Sequence, residues 1–198
     1  MASEGKDTER IYFNALAKEY ENPRVHVRIL DRSEDEQNNS SPEHVLKQLN
    51  DYKGLYELED DDELWLVVDR DRWTDAMLSR VARECQQDGF MHMALSNPCF
   101  ELWLLLHLVD ATKLSAAENV KWMENKRGSK NSDPYLKVLL RREMGSYHES
   151  NYDAQMLIEH VDPAITQAII LDKSIADRWP QTLGTRAYLL AESVMNRH

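Results

Sequence analysis

Five consecutive apolar residues, LWLVV at 64–68, stand between the acidic run Glu59, Asp60, Asp61, Asp62, Glu63 and the triplet Asp69-Arg70-Asp71. A run this short, rich in β-branched and aromatic residues and without polar alternation, reads as a strand buried on both faces. Such strands belong to parallel sheets covered by helices on either side. The surrounding sequence agrees. Residues 8–20 place Tyr12, Phe13, Leu16, Ala17 and Tyr20 on one helical face. Residues 25–30 (VHVRIL) alternate as a half-buried strand does, and 31–41 read as a polar loop. Helical patterns follow over 42–52 and 74–87, with another strand over 90–95. Beyond Ser96 the patterns are helical: 100–108, 116–124, 134–142, 154–171 and 185–196. The expected fold class is therefore α/β, a mostly parallel sheet flanked by helices with a C-terminal helical extension. The expected division is a core over 1–110 and an extension over 111–198 packed on it.

Composition excludes several classes. Cys85 and Cys99 are too few for a disulfide framework and lack Cys-x-x-Cys spacing, which suits a reducing, cytoplasmic setting. The N-terminus is charged at Glu4, Lys6, Asp7, Glu9 and Arg10, unlike a secretory leader. The longest apolar stretch, around 102–109, is interrupted by His107 and is too short to span a bilayer, so no membrane partner is expected. The net charge of −11 disfavours unspecific nucleic-acid binding. It is unevenly spread. Residues 121–142 carry seven bases against two acids, a net +5, whereas 31–63 carry twelve acids against three bases, a net −9. The acidic stretch reads as a solvated face. Within the basic one Lys126, Arg127 and Lys130 could meet phosphates, as could Arg70, though plain surface charge is the alternative.

The chemistry-bearing feature is Asp69-x-Asp71. Side chains alternate along an extended chain, so both carboxylates project to one side at the carboxyl end of a buried strand, where parallel sheets bind ligands. Two carboxylates brought together call for a cation between them, and oxygen donors suit Mg²⁺ or Mn²⁺. A strand end followed by a helix cap would explain the same letters. Glu4-Gly5 just before the first helix adds a third acid, and Glu101 in the first turn of another helix a fourth. His107 reads as a satisfied core histidine, Ser96 and Asn97 as helix caps, and the five tryptophans as core or partner-facing. No His-Glu-x-x-His, zinc spacing, Gly-x-Gly-x-x-Gly or Walker loop occurs, so any ATPase activity must come from a partner.

EGKDTERIYF at 4–13, VVDRDRW at 67–73 and SNPCFELWLLLH at 96–107 resemble the successive signatures of RloB-like proteins, and Pro180, Thr182, Leu189 and Leu190 weakly echo the family's last helix. RloB-like proteins are a TOPRIM-fold group associated with bacterial defence against phages, often encoded beside an ATPase. The resemblance implies that Glu4 acts as acid or base in phosphodiester breakage and that Asp69 and Asp71 coordinate Mg²⁺. It implies a nuclease acting on RNA, tRNA among the choices, or on DNA, as an effector of abortive infection. The other reading it leaves is a non-catalytic TOPRIM module that binds and regulates a partner ATPase. Partners are thus a nucleic acid and an ATPase, with homodimerisation open. Only Met1, Ala2 and Ser3 precede Glu4 where the family has a full apolar strand. Either the first strand is cut short, or Glu4 is held less firmly than in relatives.

Overall fold

The apolar run at 64–68 is a strand in the middle of the sheet, as its two-sided burial demands. The computed structural model describes residues 1–5, 7–21, 27–30, 41–173 and 175–197. Among these the order is β1 (Ala2–Ser3), α1 (Thr8–Glu19), α2 (Pro42–Leu55), β2 (Leu64–Asp69), α3 (Asp75–Gln87), β3 (Met91–Asn97), α4 (Glu101–Leu105), α5 (Ala116–Glu124), α6 (Tyr135–Met144), α7 (Ala154–Ile158), α8 (Val161–Leu171), β4 (Gly184–Thr185) and α9 (Ala187–Val194). The sheet order is β1-β2-β3-β4. β1, β2 and β3 run parallel, with Ser3 beside Val67 and Asp69 beside Ser96. β4 pairs antiparallel with the end of β3, placing Thr185 beside Ser96. The fold is α/β with a mostly parallel sheet flanked by helices.

Alternation along β2 sorts its side chains between two apolar layers. Leu64, Leu66 and Val68 pack with Val45, Leu46 and Leu49 of α2 and with Leu78, Val81 and Ala82 of α3. Trp65 and Val67 face Tyr12, Phe13 and Leu16 of α1, in a layer that continues through Trp103, Leu140, Ile165 and Ala191. Each such fully buried side chain contributes roughly 1.5–3 kcal/mol. One apolar cluster therefore joins α1, the sheet and the helices after residue 111.

Local chemistry sets the helix ends. Ser41 and Thr74 accept from the amides of His44 and Met77 to cap α2 and α3, and Ser115 with Glu118 forms a capping box at α5. Gly145 ends α6 at φ +74°, a conformation that costs glycine little.

Several elements differ from the sequence-based expectation. Of the strand expected over 25–30, Val25 and His26 lie outside the described residues and 27–30 are not a strand, although the Leu30 amide donates to the Met1 carbonyl at 2.9 Å. The expected loop over 31–41 lies outside them except for Ser41, the cap of α2. The single helix expected over 154–171 is two, α7 and α8. Pro163 explains the break: it lacks the N–H that would bond back to residue 159, and a proline fits only in the first turn of a new helix. Thr185 belongs to β4 rather than to the last helix, because its hydroxyl meets Ser96 Oγ at 2.7 Å and also accepts from the Ala187 amide that opens α9.

Candidate functional site

The carboxyl ends of β1, β2 and β3 lie side by side, and each delivers an acid. Glu4 follows β1, and its amide donates to the Val67 carbonyl at 2.9 Å, continuing the parallel ladder by one bond. Its Oε2 accepts from the Asp69 amide at 3.2 Å and from the Trp73 indole at 2.9 Å. Asp69 closes β2, and its Oδ1 accepts from the Phe100 amide at 2.8 Å, at the entry to α4. Glu101 opens α4 just beyond β3. The turn after β2 is docked on the turn after β3: the amides of Arg70 and Asp71 both donate to the Pro98 carbonyl at 3.1 Å, beside the cis Asn97–Pro98 bond.

Glu4, Asp69 and Glu101 line one cavity of about 230 Å³, with Gly5, Asp7, Thr8, Glu9, Arg72, Phe100, Lys137 and Glu149 completing its wall. Asp71 is exposed and is not among the residues that line the cavity, its carboxylate 3.9 Å from Arg72. Arg70, by contrast, turns away to bond Asp75 at 2.5 Å and the Trp73 carbonyl at the start of α3. Lys126 pairs with Glu124, Arg127 bonds the Ser132 carbonyl, and Lys130 is exposed in the turn after α5. Among the described residues the bases on the cavity wall are Arg72 and Lys137. Lys137 pairs with Glu101 at 3.5 Å and with Glu149.

Several wall residues, Glu9, Lys137 and Glu149 among them, escaped the sequence reading. Glu9 stands in the first turn of α1 and is 4% exposed. Its signal was present, because 9, 12, 13 and 16 share one helical face and an acid heads an otherwise apolar stripe. Lys137 offered no such signal, because it is the packing of α6 on α4 that turns one base of a basic run inward.

The electrostatics follow from crowding carboxylates in a partly buried place. Burial raises the Glu4 carboxyl above its ordinary range, against the hydrogen bonds from Trp73 and Asp69 that hold it down. Burial pushes Glu9 up to about 7, with the charges of Glu101 and Glu4 adding to the effect. Asp69 is raised well above its usual value by burial and then by Glu101, Glu9, Glu4 and Asp71. Asp71 is raised as well, by burial first, with Arg72 opposing. His107 is part of the core, its ring nitrogens 2.9 Å from the Tyr12 hydroxyl and the Trp103 carbonyl, and burial lowers it to about 3.

Among the described residues no three His, Cys, Asp or Glu side chains already stand around a single ion position. The donor set nevertheless suits a hard divalent cation. Every candidate ligand is a carboxylate, the cluster is destabilised by its own charge, and Glu9 Oε2 is buried without a hydrogen-bond partner. Glu4, Asp69, Asp71, Glu9 and Glu101 are the residues that would hold it.

No curated protein and no solved structure matches the chain. The family model described as RloB-like protein matches residues 1–194. That match takes in every strand and helix of the described residues and each acid of the cavity, and the chain belongs to the RloB-like family.

Proposed function

We propose that this protein is a divalent-metal-dependent nuclease of the TOPRIM type, cleaving phosphodiester bonds of RNA, tRNA included, or of DNA as an effector of anti-phage defence. The observation that carries the reading is the meeting of Glu4, Asp69 and Glu101, remote in sequence, on the wall of one cavity at the carboxyl edge of a parallel sheet. A bound Mg²⁺ or Mn²⁺ would supply charge neutralisation at the scissile phosphate and polarisation of its oxygens. The protein's own groups divide the remaining work. Glu4, raised by burial and steadied by the Trp73 indole and the Asp69 amide, is placed to hold or release a proton at its carboxylate. Asp69 is oriented by the Phe100 amide, which donates to its Oδ1. Arg72 and Lys137, paired in the free protein with Asp71 and with Glu101 and Glu149, are the wall's described bases for a substrate phosphate.

The test is cleavage of labelled tRNA, structured RNA and duplex DNA by the purified full chain in Mg²⁺ or Mn²⁺. Glu4→Gln is expected to lower the rate by a factor on the order of 100 or more, and Asp69→Asn to abolish metal-dependent cleavage. Cleavage that survives both changes, or that proceeds in chelator, sinks the proposal.

A second reading, a non-catalytic module that binds and regulates an ATPase, draws on a different observation. Ile169 and Ile170 at the end of α8 are about half exposed, and Ile175 is 69% exposed. Absence of cleavage with an ATPase partner present, together with tight binding to it, would favour that alternative.

A further inference from the structure

We infer that Glu149 stands in for a substrate phosphate on Lys137, and that the nucleic acid takes its place in the site by displacing that carboxylate. The inference rests on the nuclease reading above and deepens it, by naming what holds the wall's base before substrate arrives. Lys137, on α6, bridges two acids at once, Glu101 of the cavity at 3.5 Å and Glu149. The two are placed differently. The Glu101 side chain is 9% exposed and opens α4 just beyond β3, whereas that of Glu149 is 53% exposed and comes from the turn after α6. One carboxylate is set in the wall, and the other reaches the same ammonium from the solvent side.

The backbone that carries Glu149 is built to keep it there. Residues 148–151 form a tight turn with Glu149 near its tip, the Asn151 amide donating to the His148 carbonyl at 2.9 Å. Thr8, the first residue of α1, donates from its hydroxyl to the Glu149 carbonyl at 3.3 Å, and the Tyr152 hydroxyl donates to the Thr8 carbonyl at 2.7 Å. Arg141, one turn along α6 from Lys137, donates to the Tyr147 carbonyl at 3.4 Å. The turn is thus pinned to α1 and to α6 through its main chain, while half of the Glu149 side chain lies in solvent and has room to swing away.

Stability does not account for this placement. An ion pair so exposed stabilises a fold little, and a further acid on a wall that already holds Glu4, Glu9, Asp69 and Glu101 is repelled by each of them. What the position suits is an anionic oxygen, the feature that a carboxylate shares with a phosphodiester. A phosphate arriving there meets an ammonium already oriented by Glu101 and has one weak, solvent-exposed pair to break. Neutralising Glu149 should therefore tighten substrate binding, although it removes a charged contact from the site.

The test is fluorescence anisotropy with labelled tRNA and labelled duplex DNA in Mg²⁺, on the full chain carrying Glu4→Gln so that the probe outlasts the measurement. Glu149→Gln leaves the main-chain anchors of the turn in place and is expected to tighten binding of the preferred probe roughly twofold to fivefold, the factor that an exposed ion pair is worth. Lys137→Gln is expected to weaken binding and to lower the slope of log affinity against log salt by about one. In the double variant the gain from Glu149→Gln should disappear. Glu143→Gln, which removes an acid of α6 paired with Arg142 instead, is expected to leave affinity unchanged. Unchanged affinity in Glu149→Gln overturns the inference, as does a gain that persists without Lys137 or that Glu143→Gln reproduces, and the nuclease reading survives each of these. A parent protein that binds neither tRNA nor duplex DNA overturns the nuclease reading itself, and this inference with it.

Discussion

At the scale of the residue, a carboxyl raised by burial binds its proton more tightly in the folded chain than in the unfolded one. For Glu9 the ordinary value of 4.5 rises to about 7. Between those values the folded state keeps a proton that the unfolded state has released, so stability falls as pH climbs through that window and stays lower above it. Two other buried groups act in the opposite sense over nearby ranges. His107, lowered to about 3, costs stability as pH drops below its usual 6.5, and the Met1 amino group, lowered to about 6, does so below 8. Both titrate identically in wild type and in Glu9→Gln and drop out of the difference, which reports Glu9 together with the relief of Asp69, whose carboxyl the Glu9 charge helps to raise. In chelator, the unfolding temperature of Glu9→Gln minus that of wild type is expected to grow from pH 5 to pH 8 by on the order of 5 °C. A difference that is flat across this range, measured by calorimetry or circular dichroism, contradicts the assigned burial of that acid.

At the scale of the element, the turn between β1 and α1 carries Glu4 on one side of Gly5 and Glu9 on the other. Gly5→Ala pushes a methyl into the Glu9 carboxyl, the far end of a flexible side chain that can swing aside along the cavity it lines. The expected cost is about 1 kcal/mol, read from denaturant unfolding, and it should nearly vanish in a Gly5→Ala, Glu9→Ala double variant, since removing the carboxyl removes the collision. The strand LWLVV was legible because hydrophobicity alone declares two-sided burial, and Glu4, Asp69 and Glu101 were legible because each follows or closes a strand. β4 was not. A two-residue strand has no periodicity, and what makes it one is the Ser96–Thr185 hydroxyl pair, between residues 89 positions apart. The break between α7 and α8 was hidden by apolar residues that keep helical spacing across it, although Pro163 marks it chemically.

At the scale of the whole molecule, the helices after residue 111 are joined to the sheet by polar locks as well as by apolar packing. Arg186 grips Asp172 through two bonds of 2.8 and 3.3 Å, tying the end of α8 to the start of α9. Asp172→Ala leaves a buried guanidinium without its carboxylate and is expected to cost about 3–5 kcal/mol in unfolding free energy. A loss under 1 kcal/mol by urea titration would mean that water or a neighbouring group takes over that role. The convergence of Lys137 on the acidic cavity was beyond sequence reading for a related reason, since it depends on how α6 lies against the whole assembly. A second lock reaches the chemistry directly. Asn97 Nδ2 donates to the Pro180 carbonyl at 2.9 Å, and the neighbouring Pro98 carbonyl receives the amides of Arg70 and Asp71. The segment leading into β4 is thereby tethered, through one peptide unit, to the turn that bears two of the acids. Anything seated on the C-terminal helices that tugged residues 180–185 off the sheet would slacken that turn, and the carboxylates would feel a hand laid on the far side of the protein.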